Sequence, residues 1–201
     1  MADRTPQIEL WKSEFGDDYT ERNQVDPNAR LGGFTTAIDG LGINSALEVG
    51  CNRGHNLSVL KQLGVTRLGG LEPNDVARAK AAERHPDATF KEGMAMNMPF
   101  DDSSYELVFT SGVLIHIAPT DLPAAMAEMY RISSRYILGL EYFAPELTEV
   151  KYRGHTQALW KCDFGGLWQS QHPDLKLIRN GHLDEEGVWD NATWWLFEKG
   201  A

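Results

Sequence analysis

The chain has 201 residues, 42% hydrophobic and 24% charged, which fits one folded domain with an adequate core and excludes wholesale disorder. Its formal net charge of −10 argues against nucleic acid as a partner, because phosphate binding wants a basic surface. Two cysteines, Cys51 and Cys162, make neither a disulfide framework nor a C-x-x-C site, and the 6 scattered histidines offer no H-x-x-x-H pair, so no metal is expected. Residues 1–14 show no apolar h-region, and no apolar run approaches the length of a bilayer span. The expectation is a cytoplasmic protein with no signal peptide and no membrane partner.

In chain order, Ile8, Leu10, Trp11 and Phe15 fall at helical spacing after Thr5-Pro6. Gly16 to Asn23 reads as a polar, turn-rich segment, and Leu31 to Leu41 as a helix leading into the first strand, Ser45–Val49. A helix follows at Leu57–Leu63. A second strand, Leu68–Leu71, ends at Glu72-Pro73-Asn74, where Asn74 or Asp75 caps a helix, Val76–Arg84. Thr89–Lys91 is a short third strand and Leu107–Thr110 a fourth. Leu122–Ile132 is a helix begun by Thr120, Asp121 and Pro123, and Tyr136–Leu140 is the fifth strand. This alternation predicts a parallel, doubly wound sheet. Lys176–Arg179 and Ala192–Phe197 then read as two strands whose connection is too short for a crossover helix, so they predict an antiparallel pair.

The segment Leu47-Glu48-Val49-Gly50-Cys51-Asn52-Arg53-Gly54-His55 is the most informative. An apolar strand breaks into a glycine turn and then a helix, which brings bare backbone to a nucleotide-like ligand. The dinucleotide spacing G-x-G-x-x-G is not met, since Asn52 and His55 stand where glycines belong. The pattern is E-x-G-x-N-x-G. A carboxylate before the first glycine would repel a pyrophosphate but suits the cationic methionine end of S-adenosylmethionine (SAM). At these residues the chain resembles the class I SAM-dependent methyltransferases. That resemblance implies a Rossmann-like α/β fold, with a mostly parallel seven-stranded sheet, an antiparallel C-terminal strand pair and helices on both faces. It also implies SAM as cofactor and S-adenosylhomocysteine (SAH) as product.

The candidate cofactor set follows. Gly50 and Gly54 let the backbone pass under the ligand, and Asn52 tolerates the left-handed conformation nearly as well. Glu48 fixes the turn or contacts the methionine part. Glu72, about 20 residues beyond the turn, is placed to accept from both ribose hydroxyls, with Pro73 beside it. Met94 stands where the family often carries an adenine-binding acid, and its backbone with that of Ala95 is left to read the adenine. Ser111 opens the floor after the fourth strand. The catalytic candidates are His116, to take or orient a substrate proton, and Glu141, to bind a polar acceptor. Two flanking segments mix aromatics with cations: Tyr19 to Asn23, with Tyr19 and Arg22 counted toward the cofactor, and Lys151 to Phe164. Both are expected to form a lid that excludes water. Residues 1–30 are thus expected to be a helical cap and residues 31–201 the SAM-binding domain.

Trp11, Phe15-Gly16-Asp17, Tyr19-Thr20, Arg22-Asn23, the glycine turn, Glu141-Tyr142-Phe143 and the closing Thr193-Trp194-Trp195-x-Phe197 resemble, more narrowly, the pseudaminic acid biosynthesis-associated methylases. That resemblance covers nearly the whole chain and implies a small acidic or sugar-derived acceptor related to nonulosonic acids, methylated on oxygen or nitrogen. A carboxylate on a peptide natural product is the alternative acceptor, and a non-catalytic SAM-binding module the alternative of another class. Oligomeric state is not readable.

Overall fold

The computed structural model describes residues 5–200. In chain order the strands are β1 Ser45–Val49, β2 Arg67–Leu71, β3 Thr89–Lys91, β4 Tyr105–Ser111, β5 Ser133–Tyr142, β6 Thr148–Glu149, β7 Trp160–Lys161, β8 Lys176–Leu183 and β9 Ala192–Glu198. The helices are α1 Pro6–Trp11, α2 Glu14–Arg22, α3 Pro27–Ile38, α4 His55–Gln62, α5 Asp75–Arg84, α6 Leu122–Ile132 and α7 Phe164–Gln171. Among the described residues the main sheet has seven strands in the order β3-β2-β1-β4-β5-β9-β8. The first five pair in parallel, while β9 runs antiparallel to both β5 and β8. The sheet is therefore of the expected Rossmann-like kind.

Strand side chains alternate between two cores. Leu47, Val49, Val108 and Ile137 pack with α6 and α7. Ala46, Leu107, Phe109 and Leu138 pack with α3 and α4. Both faces are covered, as a parallel sheet requires. Strand order reverses between β1 and β4, and a crevice opens there beyond their carboxyl ends. No helix among the described residues is long and apolar enough to cross a membrane.

Several elements differ from expectation for local reasons. Gly16 to Asn23 is not a turn segment but most of helix α2, capped by Ser13, whose Oγ accepts from Phe15 N at 3.2 Å. Glu14, Asp18 and Glu21 are on its exposed side, Thr20 is buried, and Tyr19 packs edge-on against Trp11 at 5.1 Å. Gly16 marks a close approach, since a Cβ there would lie 1.9 Å from the Trp11 carbonyl oxygen. Helix α3 begins at Pro27 rather than Leu31, because Asp26 caps it and proline suits the first helical position. Helix α7 was not anticipated; Gly165 and Gly166 hide it, but Asp163 caps it through Gly166 N at 2.9 Å. Strand β8 runs to Leu183 instead of Arg179. Pairing with β9 overrides the turn character of Asn180 and Gly181.

Candidate active site

The glycine turn forms as the sequence implies. Gly50 has φ 70° and Asn52 φ 45°, both in the left-handed region. A Cβ at Gly50 would stand 2.7 Å from Val113 Cγ2. Gly50 N and Cys51 N both donate to the Leu71 carbonyl, at 2.8 and 3.0 Å, which ties the turn to the end of β2. Asn52 Nδ2 donates to Thr20 Oγ1 at 3.1 Å, joining the turn to α2. Gly54 precedes α4 and faces His85, whose Nε2 donates to its carbonyl at 2.8 Å. It shapes the turn from behind and does not line the cleft.

A cleft opens over this turn. Glu48, Gly50, Asn52, Glu72, Pro73, Met94, Ala95, Ser111, His116 and Tyr19 all line it. The structure thus gathers ten of the thirteen expected residues in one place. Met94 and Ala95 come from the loop after β3, and Asn97 N donates to the Met94 carbonyl at 3.0 Å.

Two carboxylates dominate the polar end. Glu48 is 2% exposed and Oε1 accepts from Asn56 Nδ2 at 2.6 Å, while Oε2 is buried without a partner. Burial pushes its carboxyl up to about 8, against the Asn56 amide and the Arg30 charge. Glu72 is 6% exposed; Oε2 accepts from Asn52 N at 2.8 Å and Oε1 from Asn74 N at 2.9 Å. Burial raises it to about 7, with those two backbone donors opposing.

Arg30 completes this end and was not foreseen. It donates through Nη1 to Asn56 Oδ1 at 2.9 Å and through Nη2 to the Val188 carbonyl at 3.2 Å, and it stacks over Trp189. Its Nε is buried and unpartnered. Among the described residues lining the cleft it is the only lysine or arginine. A lone arginine in a helix, partnered across 26 residues of chain, carries no local sequence signal.

Glu48 makes the free protein pH-sensitive. Its folded carboxyl titrates at about 8 against an ordinary 4.5, so its contribution to stability is full below 4.5 and lost as pH rises through about 8. Glu48→Gln keeps the oxygen that Asn56 needs and removes the titration. The thermal midpoint of this variant should fall less than that of wild type between about pH 5 and about pH 8. An equal fall in both would clear Glu48 of the effect.

At the other end, the backbone after β4 turns through Leu114–His116. His116 Nδ1 lies 2.6 Å from the Ala158 carbonyl, and burial depresses its basicity to about 4, with that hydrogen bond opposing. Glu141 is placed differently from its expected role as an acceptor-binding group. It is 1% exposed, lies outside the cleft lining, and its Oε1 accepts from Val113 N and Leu114 N, both at 3.1 Å. The pleat of β5 sends it under the turn that carries His116. Arg22 is also displaced: it is exposed on α2, stacks over Phe15 and Tyr19, and does not line the cleft.

The two flanking segments meet over His116. The Trp11 ring packs on it at 4.7 Å and the Tyr152 ring at 5.0 Å. Phe15 meets Tyr152 and His155. Gln7 Nε2 donates to the Gln157 carbonyl at 3.0 Å, joining cap to excursion. Asn74 Nδ2 donates to the Trp11 carbonyl and to Asp17 Oδ1, at 3.1 and 2.8 Å. The cationic Lys151 and Arg153 are exposed and outside the lining.

This sheet order, with its antiparallel β9 and a cleft at the reversal between β1 and β4, defines the class I methyltransferase fold. Residues 46–135, from β1 into β5, match the family model for a methyltransferase domain. An uncharacterized methyltransferase of Synechocystis sp. is 30% identical over 86 residues, 43% of this chain and 40% of that protein. The chain thus matches well under half of the length of that relative. Among solved structures, a Burkholderia thailandensis 1,6-didemethyltoxoflavin-N1-methyltransferase, with its substrate and SAH bound, superposes with a TM-score of 0.74 at 11% identity, over 100% of this chain and 93% of that one. The magnesium protoporphyrin IX methyltransferase of Synechocystis, with SAH bound, gives 0.72 at 15% identity, over 98% and 100%. At such identities the likeness is one of fold.

Proposed function

We propose that the chain is a SAM-dependent methyltransferase acting on the hydroxyl or amine of a small metabolite, sugar-derived or acidic as the narrower family resemblance implies. One observation carries this reading. Two buried carboxylates, Glu48 and Glu72, flank one glycine turn and keep acceptor capacity toward a cleft that ends at a neutral histidine. Structures of the two named methyltransferases hold SAH in the same fold, which agrees with it.

The residues present fit the cofactor. Glu48 Oε2, buried and unpartnered, is an acceptor for an ammonium group, and Arg30 Nε is a donor for a carboxylate. Asn56 ties the two side chains together. Glu72 would accept from ribose hydroxyls, and Met94, Ala95 and Met96 would border the base. When bound, SAM supplies an electrophilic methyl group on a sulfonium centre. The chain's own part is alignment, exclusion of water beneath Trp11, and acceptance of the acceptor's proton at His116 Nε2. Residues 5–30 serve as the cap. Lys151 and Arg153 lie outside the lining and Arg30 is taken up at the cofactor end, so an acidic acceptor would find no further lysine or arginine among the described lining residues.

The test has two parts. Calorimetric titration with SAH should show saturable binding of one equivalent, and methyl-labelled SAM should transfer label to a small-molecule fraction or to a screened sugar acid. Absence of SAH binding sinks the proposal. Binding with no transfer to any fraction would leave the non-catalytic SAM-binding module.

A further inference from the structure

His116 is gripped by a part of the chain remote from it in sequence. Its Nδ1 stands 2.6 Å from the carbonyl oxygen of Ala158. A carbonyl only accepts, so Nδ1 carries the hydrogen and Nε2 of the neutral ring keeps the lone pair. The other tautomer would press two acceptors together and turn an N–H toward the acceptor space. Nε2 has no hydrogen-bond partner among the described residues, and the ring lines the cleft.

The carbonyl is delivered by the excursion between β6 and β7, and that excursion is well held. Val150 N donates to the Leu159 carbonyl at 2.9 Å, and Gln157 N donates to Glu149 Oε1 at 2.7 Å. Ala158 and Leu159 are buried. From the opposite side, Glu141 holds Val113 N and Leu114 N, so the turn that carries the ring is fixed as well. No residue of the excursion itself lines the cleft among the described residues, so it acts on the cleft through His116 and the cap. It meets His116 through this hydrogen bond and the ring contact of Tyr152, and it meets the cap through Gln157 and His155.

We propose that Ala158, acting through its backbone carbonyl, is a positioning residue: it selects the Nδ1–H tautomer of His116 and so leaves Nε2 as the proton acceptor. This rests on the reading of His116 as the base. The excursion is then a working half of that base rather than only a cover, and the base is complete only where the excursion is docked.

The tautomer is directly observable. Nitrogen-15 spectra of histidine-labelled full-length protein, with His116 assigned by comparison with His116→Ala, should show the Nδ1–H form in the wild type. Replacing Leu159 with its α-hydroxy acid turns the 158–159 amide into an ester, a weaker acceptor, and leaves every side chain unchanged. The ester protein should show an admixture of the Nε2–H form and methyl transfer reduced about fivefold, the effect of weakening one hydrogen bond, with SAH affinity unchanged. A wild-type Nε2–H ring overturns the inference even if the ester protein does not fold. So does an ester protein with an unaltered tautomer, or one with an altered tautomer and full transfer. Wild-type SAH binding and methyl transfer judge the proposed function separately, so the two failures are distinguishable.

Discussion

His116→Ala should remove most methyl transfer and leave SAH binding intact. Its ring is neutral at physiological pH because burial depresses its basicity to about 4. Its Nδ1 is committed to the Ala158 carbonyl, so Nε2 is the nitrogen left for chemistry. General-base assistance is worth roughly 10²–10⁴-fold, and turnover should drop by that order. The pH profile carries a second signature. A base active in its neutral form gives a rate that rises with pH through its own titration, so the acid limb should lie near 4 rather than at the ordinary 6.5. The proposed cofactor end comprises Glu48, Glu72 and Arg30, none of which bonds to His116, so SAH affinity should hold within about twofold, less than one ordinary hydrogen bond. A variant with near-wild-type turnover would mean an acceptor that arrives already anionic. That outcome would shift the substrate to a carboxylate, which needs no proton removed.

The β1–turn–α4–β2 unit was legible because its signals are local. An apolar strand, two glycines with a tolerant asparagine between them, and a strand-end glutamate all lie within a short run of chain. The same holds for β9, where aromatic and β-branched residues dominate. Helix α2 was obscured because Gly16, Asp17 and Asp18 carry turn character by composition. The Ser13 cap, the packing of Tyr19 on Trp11 and the close approach of Gly16 to the Trp11 carbonyl fit it as a helix.

The misplacement of Glu141 has a different cause. A residue at the end of a strand is known to sit on the rim, but which way it points depends on the pleat. In β5 the pleat sends Glu141 beneath the turn at Val113 and Leu114. Arg30 is the converse case. Its partners Asn56 and Val188 come from distant parts of the chain, so its role exists only once α3, α4 and the β8–β9 loop are assembled.

Glu72→Ala should weaken SAM binding by about 1–3 kcal/mol, roughly 5- to 150-fold, the consequence of leaving polar groups unpaired. Each Glu72 oxygen already accepts one backbone N–H, from Asn52 and from Asn74. The substitution therefore removes the proposed ribose acceptors and an anchor of the glycine turn together. Glu72→Gln separates these effects, since it keeps one acceptor oxygen and loses the charge; its affinity should fall between wild type and alanine. The pH dependence distinguishes them further. Burial holds the Glu72 carboxyl at about 7, so near neutrality the free protein carries it partly protonated. Hydroxyl donors favour the ionised form, so wild-type affinity should rise from about pH 6 to about pH 8. Glu48, raised to about 8, adds a slope of the same sign because an ammonium group also prefers a carboxylate. Glu72→Gln should thus retain part of the slope, and a Glu48→Gln, Glu72→Gln double variant should lose it. Unchanged affinity in Glu72→Ala, in a protein whose unfolding transition remains cooperative, would remove this carboxylate from the cofactor site and leave the turn with no partner for a sugar.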